Sequence, residues 1–513
     1  MTSDSTTPRP DNSPHLRRLI ILLLTSAAIG AAAALATLVL HDRIVAHQLA
    51  ASPPDVLGDP GRREATRRSL STALWNRPGP ALVIILAYPR LIRRLRTRNQ
   101  RSYRRTLILT LLQIAGLVWF AIGGHYPLWL QILQAAQAIV LLWALHALTR
   151  RSLRAEFGYP PPSPRTRSRR RAATTLVVIA PLIAELTWGS THTGQIAGLA
   201  LYWPAYGAGA LLIRELVQRS GRGRASLLLL GLVYGLLEEG LALQSLTSPT
   251  IFPDTSHLAP RVAGVNSSYT LMVLAYHAVF SILVPVTLAE RLHPAERDQP
   301  WLRRGGLVAT GAVALLGMGL LRLIPITADP GYLMPWPDDV AIAVVAAVLV
   351  ATALWLLPPR AHRTGKAERR PPSPAVAGTL AAAATAVFLG LLLPLPGARF
   401  AGYAPSADAA WPALVVALAV AAPAALAAMY WTNSTRWSSR HTTVALTGAL
   451  GAHTAIGVAC LTHTALDRGG LIVYGVIELS LMALLVHRTP APNSAGAAQE
   501  RLTELAGLEV RRR

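Results

Sequence analysis

The chain has 513 residues, of which 52% are hydrophobic and only 14% are charged, whereas about a quarter of the residues in a soluble domain are charged. Its formal net charge is +24. The arginines lie in short segments between apolar blocks, where they set membrane topology, so the charge does not indicate nucleic-acid binding. Cys460 is the single cysteine, which excludes an intrachain disulfide and a cysteine-based metal cluster. Lys366 is the single lysine, and this bias towards arginine is typical of a GC-rich bacterial genome.

The apolar residues form long blocks, which is the pattern of membrane-spanning helices. The first block, residues 19–40, is long enough to cross about 30 Å of hydrocarbon and too long for a cleaved signal peptide, so it is predicted to stay as an anchor. The whole pattern predicts an all-α, polytopic transmembrane helix bundle. About fourteen spans are predicted, near residues 19–40, 73–93, 106–123, 128–149, 172–188, 196–217, 225–245, 268–290, 305–323, 338–357, 375–396, 411–431, 441–462 and 470–486.

The loops between these blocks alternate in arginine content. The loops after the second, fourth, sixth, eighth, tenth and twelfth blocks are basic, and the C-terminus ends in "RRR". The other loops contain almost no arginine, except the first one. By the positive-inside rule, the basic loops and both termini are cytoplasmic. We therefore expect a multi-pass protein of the cell membrane, with the lipid bilayer as its partner and no nucleic acid.

One region departs from this alternation. The first loop should lie outside, yet it contains the basic segment "GRREATRRS", and the second block has only about a dozen apolar residues between "NRPGP" and "YPRLIRRLR". Residues 73–93 are therefore either a span or an interfacial or re-entrant helix. If they do not cross, the chain has thirteen spans and only the N-terminus changes side.

A basic, proline-rich stretch at residues 150–171 is the best candidate for a boundary. It divides the chain into an N-terminal membrane module of three or four spans at residues 1–149 and a C-terminal ten-span module at residues 172–487. The stretch itself reads as a cytoplasmic linker, and residues 488–513 read as a cytoplasmic tail.

Ionisable residues inside spans are costly in lipid and are functional-site candidates by default. The candidates are Glu185, Glu215, Glu238, Glu239, His277, His453 and Glu478. Glu215, beside Arg214, lies near the cytoplasmic end of its span, and Glu185 lies near an outer end. Both positions favour an interfacial residue that reaches water over a buried site.

The remaining candidates lie at a common depth. Their depth follows from the number of residues to the outer end of each span, at 1.5 Å per residue. The depths agree within roughly 5 Å for Glu238, Glu239, His277, His453 and Glu478. Scattered defects would not share a level, so a common polar site is indicated.

Helical spacing adds detail to this site. Gly231, Gly235 and Glu239 form one stripe, and small residues at such a spacing let another helix approach closely. We therefore expect Glu239 to face a packed helix. Tyr234 and Ser245 are expected near the face of Glu238.

On the next span, His277 and Ser281 share a face, and Pro285 leaves the Ser281 carbonyl without its usual donor. A glutamate–histidine arrangement can activate water as a general base, hold a metal or relay protons. It can also be a packing device, with a protonated glutamate hydrogen-bonded across helices. The residues themselves specify no cofactor.

The two glutamates and His277 resemble the motifs of the CPBP family, the CAAX-protease and bacteriocin-processing intramembrane proteases. That family carries EExxxR, FxxxH and HxxxN motifs. Here "EEGLAL" places Leu243 at the arginine position, "VLAYH" places Val273 at the phenylalanine position, and "HTAIG" offers His453 with Gly457 at the asparagine position.

The resemblance implies an intramembrane peptidase in which the first motif glutamate, Glu238, acts with histidines to activate the attacking water. Glu238, Glu239, His277 and His453 are then the candidate catalytic residues. Three hypotheses follow: a divergent CPBP-like peptidase or its inactive relative, a proton-coupled transporter or permease that uses the same residues, and a non-catalytic membrane scaffold.

Overall fold

The structure is a computed structural model, and it describes residues 13–50, 57–75, 78–122, 126–159, 163–248, 261–322, 324–325, 332–359, 368–393, 407–462 and 464–489. The chain divides into two compact units between Ser163 and Pro164. This division falls inside the stretch 150–171 that the sequence marks as a linker. Nearly all described residues with regular structure are helical.

The N-terminal unit contains seven described helices. They are α1 (Pro14–Val39), α2 (His41–Ala50), α3 (Pro60–Trp75), α4 (Pro78–Arg96), α5 (Gln100–Ile122), α6 (Leu128–Thr149) and α7 (Arg151–Glu156). Two apolar clusters hold this unit together. One joins the start of α1 to the end of α6 through Leu16, Leu95 and Leu148, and the other contains Ile44 and Tyr126.

The C-terminal unit contains twelve described α-helices, five π-helical segments and one short hairpin. The α-helices are α8 (Pro164–Pro181), α9 (Leu199–Tyr202), α10 (Ala208–Arg219), α11 (Arg224–Gly235), α12 (Ser267–Tyr276), α13 (Val284–Leu292), α14 (Arg304–Leu321), α15 (Trp336–Ala351), α16 (Pro374–Leu392), α17 (Ala407–Thr432), α18 (Ser439–Cys460) and α19 (Ala465–Arg488). The hairpin pairs β1 (Arg261–Val262) with β2 (Val265–Asn266) in antiparallel register. Single 3-10 turns occupy Thr193–Gly198 and Pro294–Glu296.

Several helices begin at side-chain caps that the sequence supplies. The side chains of Ser13, Asn266, Ser373, Ser438 and Thr464 each accept a hydrogen bond from a backbone N–H in the first turn of the following helix. Such caps satisfy donors that have no partner inside the helix. The cap at Asn266 fixes where α12 starts, and α12 leads directly to His277.

Ten described helices are long and apolar enough to cross a membrane. The predicted spans near 73–93, 106–123, 172–188 and 196–217 are not among these ten, although helices occupy these positions. Three of these helices contain charged residues that lower their hydropathy. α8 begins at Pro164, eight residues before the predicted span, and so includes the preceding arginines. α4 and α5 each contain several arginines as well.

Two helices lie at the centre of the C-terminal unit. The candidate spans Arg224–Ala242 and Ser267–Leu292 are 67% buried, against 11–33% for the other eight. The two helices approach each other closely at glycines. A Cβ added to Gly231 would lie 2.7 Å from the Ala278 Cα, and one added to Gly235 would lie 3.3 Å from the His277 Cβ. The glycine stripe therefore faces a packed helix, as the sequence predicts, and these two helices carry Glu238, Glu239 and His277.

Candidate functional site

The candidate site is built on π-helical segments. Four of the five described segments carry its carboxylates, its histidine and one of its tyrosines. Leu182–Leu186 holds Glu185, Trp203–Gly207 holds Tyr206, Leu236–Ala242 holds both central glutamates, and His277–Leu283 begins at the histidine. The widened turns bond from residue i to i+5, as in Leu243 N to Glu238 O at 2.7 Å. Short π-helical turns inside α-helices are rare and occur frequently at functional sites.

Prolines account for three of these irregular turns, since proline has no N–H to donate. Pro181 directly precedes the first segment, Pro204 lies in the second, and Pro285 follows the one at His277. Pro181 leaves the Val177 carbonyl without its α-helical donor. Gly207 packs against that carbonyl so closely that an added Cβ would lie 2.6 Å from the oxygen.

His277 lies between the two glutamates. Its Nε2 is 3.1 Å from Glu239 Oε1, and its Nδ1 is 2.9 Å from Ser281 Oγ and 3.5 Å from Glu238 Oε2. All three ionisable side chains are buried. The sequence expectation that a glutamate carboxylate lies within roughly 4–6 Å of the imidazole is confirmed for both glutamates. We call Glu238, Glu239, His277 and the side chains bonded to them the His277 cluster.

Within this cluster, Glu239 has both carboxylate oxygens engaged. Oε1 faces His277, while Oε2 accepts hydrogen bonds from the Tyr269 hydroxyl at 3.0 Å and from the Ser245 hydroxyl. The sequence expectation that Ser245 lies near Glu238 was wrong. The α-helical angle of 100° per residue does not apply across the π-helical segment, so Ser245 returns to Glu239 instead.

Glu238 differs from its neighbour. Among the described residues, its Oε2 is buried without a hydrogen-bond partner, and so is the hydroxyl of Tyr234. The Tyr206 hydroxyl lies in reach of both the Glu238 and Glu185 carboxyls. The rings of Tyr206 and Tyr234 lie 6.0 and 5.6 Å from the His277 ring. The Tyr234 hydroxyl also lies in reach of the Glu238 carboxyl, so Glu238 has an acceptor oxygen without a well-formed hydrogen bond in a buried polar site walled by aromatic rings.

Glu185 belongs to this polar region and does not reach water. It is only 6% exposed, and its Oε2 accepts hydrogen bonds from Ser190 at 2.7 Å and Thr191 at 3.3 Å. The expectation of an interfacial residue was wrong because the chain folds back after Leu186 and covers the helix end. The sequence indicates only weakly that tyrosines belong to the site. Tyr269 and Tyr276 are about two turns apart and share one face of α12, the helix that directly precedes His277.

His453 was predicted to join the glutamates, but the structure places it in a separate position. It lies among Tyr276, Trp188 and Phe280, with ring centroids 5.7, 4.8 and 4.4 Å from its own. None of its contacts among the described residues reaches a glutamate of the His277 cluster. Counting residues along the helix places His453 at the same depth as the glutamates. The face of α18 on which it lies, however, points its ring towards Tyr276. Trp188 is itself buried.

The tautomer of His453 follows from its neighbour. The Tyr276 hydroxyl lies 2.6 Å from the Ala184 carbonyl oxygen and 3.1 Å from His453 Nε2. A carbonyl oxygen can only accept, so the tyrosine donates its single proton to Ala184, and Nε2 of a neutral His453 must donate to the tyrosine. Nδ1 is then an acceptor, and it is buried without a hydrogen-bond partner among the described residues.

Glu478 is also separate from the His277 cluster. Its carboxylate accepts hydrogen bonds from Thr454 at 3.0 Å and from Thr187 at 3.3 Å. These bonds join α19 to α18 and to the end of the π-helical segment that contains Glu185. This residue has the geometry of an interhelical packing device.

A second buried charged cluster lies at the other end of α10. Arg214 is 1% exposed and Glu215 is fully buried. The Arg214 side chain donates to Glu215 at 2.9 Å and to Glu290 at 3.2 Å, and it lies 3.7 Å from the centroid of the Trp301 ring. The expectation that this pair reaches water was wrong, because the loop after α13 covers it. We call Arg214, Glu215, Glu290 and Trp301 the Arg214 cluster.

The described residues contain no group of three or more His, Cys, Asp or Glu side chains arranged to hold a metal ion. Glu239 and His277 instead bond to each other and to hydroxyl groups. What the arrangement offers chemically is an oriented imidazole beside a carboxylate oxygen and a tyrosine hydroxyl that lack well-formed hydrogen bonds.

Comparison with known proteins places the chain in a family. The model of an uncharacterized membrane protein family matches residues 174–489, more than half of the 513 residues. No curated protein and no solved structure matches the chain. The matched stretch includes the His277 cluster and eight of the ten apolar helices. The protein is therefore a multi-pass membrane protein with an all-α fold, and it belongs to this uncharacterized membrane protein family.

Proposed function

We propose that the protein is a divergent CPBP-like intramembrane peptidase in which Glu238 is the water-activating base. The observation that carries this proposal is the difference between the two glutamates. Glu239 has both oxygens engaged, whereas Glu238 Oε2 is buried, 3.5 Å from His277 Nδ1 and without a hydrogen-bond partner among the described residues. A free buried carboxylate is what a general base requires. It is also the first glutamate of the motif, the one to which the resemblance assigns this role.

The proposed reaction uses residues of this chain only. Glu238 takes a proton from water while the water oxygen bonds to the carbonyl carbon of a peptide bond. As the C–N bond breaks, the same proton passes to the leaving amine. Glu239 holds the imidazole of His277 through its 3.1 Å contact. The Tyr234 hydroxyl lies in reach of Glu238 without a well-formed hydrogen bond, and it can turn to donate to the negative carbonyl oxygen.

The departures from the CPBP motifs bear on this proposal. Leu243 replaces the motif arginine, and Gly457 replaces the motif asparagine beside His453. His453 has no described contact with the His277 cluster, so the proposal gives it no role in water activation. Tyr276 lies 5.7 Å from both imidazole rings, and it is the described link between them.

A proton-coupled transporter is the runner-up function for the same cluster. A transporter requires a polar path through the protein. Among the described residues, the buried polar group that could continue such a path from the His277 cluster is the Arg214 cluster, further along α10. Arg214 there donates to the backbone carbonyls of Arg297 at 2.6 Å and Gln299 at 2.8 Å. Such bonds anchor a loop, which favours the peptidase over the transporter. A non-catalytic scaffold would need neither Glu238 nor its free oxygen.

The test compares the N-termini of membrane proteins in cells that make the wild-type chain or Glu238→Gln. We expect new N-termini inside or beside apolar segments with the wild type, and none with Glu238→Gln at equal expression. The matched control is Glu368→Gln, which changes a side chain that is 80% exposed in the same unit. It should leave the cleavage unchanged.

Two outcomes would contradict the proposal. If cleavage persists in Glu238→Gln, Glu238 is not the base. If neither the wild type nor any variant gives cleavage, the peptidase assignment is wrong. In the second case, the pH inside proteoliposomes reports on the transporter. A proton flux that Glu238→Gln abolishes would support the runner-up, and no flux would leave a scaffold.

We further propose fourteen spans in the cell membrane of a bacterium, with residues 73–93 crossing. Leu74 lies in one apolar cluster with Tyr126, before α6 begins, and Leu95 lies in the other cluster with Leu148, where α6 ends. The 19 residues of α4 connect these two levels, a distance of about 28 Å at 1.5 Å per residue. This supports a crossing helix over an interfacial one.

A further inference from the structure

A basic pocket lies at one end of the N-terminal unit, where the start of α1 packs against the end of α6. Its polar and aromatic lining consists of His15, Arg18, Trp143, His146, Arg150 and Ser152. None of the described residues that line it is acidic. The residues come from the first turns of α1, the last turns of α6 and the junction of α6 with α7, so the pocket lies where a pair of apolar helices meets the aqueous boundary.

The two arginines of the pocket are not neutralised within the part of the chain that the structure describes. Neither Arg18 nor Arg150 forms an ion pair with a described carboxylate. Arg18 instead lies 5.6 Å from the centroid of the Trp143 ring, and Arg150 Nε donates to His146 Nε2 at 3.2 Å.

The nearest acidic residue along the chain from Arg150 is already engaged. The Glu156 carboxylate lies 2.9 Å from Arg98 and accepts a hydrogen bond from Ser13 at 2.6 Å. Two guanidinium groups therefore face the same pocket with most of their donors free for an anion. Guanidinium groups bind phosphate through paired hydrogen bonds, and the ring N–H groups and the Ser152 hydroxyl add further donors.

The surface next to the pocket favours a lipid as the source of this phosphate. Trp143 is 54% exposed and Leu142 is 51% exposed, and both lie about two turns from Arg150 towards the middle of α6. This arrangement offers cations at the headgroup level and apolar surface at the acyl-chain level. Basic pockets between membrane helices bind anionic headgroups in this way.

We propose that this pocket binds the phosphate-bearing headgroup of an anionic membrane lipid, with the acyl chains along the Trp143 surface of α6. The site lies outside the His277 cluster, so it is independent of the peptidase proposal. Its role is to anchor the N-terminal unit at one leaflet.

Native mass spectrometry of the full purified chain tests the proposal, with phosphatidylglycerol and phosphatidylcholine as probes. We expect phosphatidylglycerol to be retained more tightly than phosphatidylcholine. Arg18→Gln with Arg150→Gln should weaken phosphatidylglycerol binding by roughly thirtyfold, since each arginine near an anionic surface contributes about 1 kcal/mol. The single variant Arg150→Gln should weaken it by roughly fivefold.

The matched control is Arg17→Gln with Arg151→Gln, which removes the same charge from exposed neighbours that do not line the pocket. It should leave binding within about twofold of the wild type. Equal loss in the two double variants, or no preference for phosphatidylglycerol, would overturn the proposal. Inorganic phosphate distinguishes the two sources of the group. If it displaces the lipid at low millimolar concentration, the pocket is a free-phosphate site and the lipid assignment is wrong.

Discussion

The His277 cluster and the Arg214 cluster are both buried groups of charged residues in the C-terminal unit, but they differ in how completely their polar atoms are bonded. The Arg214 guanidinium donates to two carboxylates and three backbone carbonyls. Glu215 accepts from the backbone N–H groups of Trp301 at 2.7 Å and Leu302 at 3.1 Å as well. In the His277 cluster, Glu238 Oε2 and the Tyr234 hydroxyl have no hydrogen-bond partner among the described residues.

This difference favours a structural role for the Arg214 cluster and the proposed chemical role for the His277 cluster. A buried polar network with every group bonded makes the local structure rigid, and here it ties the loop after α13 to α10. A buried polar atom without a hydrogen-bond partner costs free energy, and in a cluster of ionisable groups a bound water, a ligand or a reaction can account for it. Burial and charge alone would rank the two clusters equally, and hydrogen-bond satisfaction distinguishes them.

The largest expected effect is on the Arg214 cluster. Arg214→Met removes the cation and leaves Glu215 buried without its main partner, so the free energy of unfolding should fall by about 3–5 kcal/mol. Thermal unfolding in detergent, followed by circular dichroism, measures the change. Arg219→Met is the control, because Arg219 is 29% exposed and lies 3.5 Å from the same glutamate. A fall of at most about 1 kcal/mol is expected there, and equal falls would mean that the cluster is not a structural anchor.

A smaller effect is expected where the two central helices cross. Gly231→Ala would place a Cβ 2.7 Å from the Ala278 Cα, so the helices must move apart at a cost of about 1–3 kcal/mol. The same shift would separate Glu239 from His277. Gly319→Ala meets no atom within 4 Å, and it should be neutral or stabilise the protein by up to about 1 kcal/mol. If both variants unfold at the same temperature, the close approach is not required.

The two glutamates should differ from each other in the same unfolding experiment. Glu239→Gln puts an amide where the Ser245 hydroxyl, the Tyr269 hydroxyl and His277 now meet a carboxylate, so it should cost about 1–3 kcal/mol. Glu238→Gln keeps the shape of the side chain and leaves one oxygen that can still accept from Tyr206 or Tyr234, so it should change stability by less than about 1 kcal/mol while removing the proposed activity. The reverse order would exchange the roles of the two residues.

The smallest effect concerns His293, which directly follows α13 and lies between Glu290 and Trp301 of the Arg214 cluster in sequence. Its ring lies 2.9 Å from the Thr175 hydroxyl. Burial lowers the pKa of His293, and Arg171 lowers it further. The unfolded chain, with a histidine pKa near 6.5, then takes up the proton first. The contribution to stability is therefore complete above about pH 6.5 and is lost as the pH falls towards the lower pKa of the folded state.

His293→Gln should remove this part of the pH dependence, as measured by unfolding between about pH 5 and pH 7.5. The effect is small because the side chain is partly exposed and water screens its charge. His487→Gln is the control, since that exposed histidine lies near the end of α19. A slope that survives His293→Gln would assign the pH dependence to another group.

The sequence by itself determined that this is a multi-pass helical membrane protein, because apolar blocks of span length permit no other fold in lipid. It also brought Glu238, Glu239 and His277 together, since depth along antiparallel helices is a simple count of residues and a glycine stripe marks a close helix crossing. Depth does not determine the direction in which a side chain points. For that reason it could not place His453 beside Tyr276 instead of beside the glutamates.

Only the tertiary structure decided which glutamate is free. The π-helical segment at Leu236–Ala242 changes the angle between successive residues, so Ser245 bonds to Glu239 and Glu238 keeps an unpartnered oxygen. Only the tertiary structure also showed that Arg214 and Glu215 are buried, since a loop more than eighty residues away in sequence covers them. Both outcomes depend on contacts between distant segments, and a count along one helix contains no information about them.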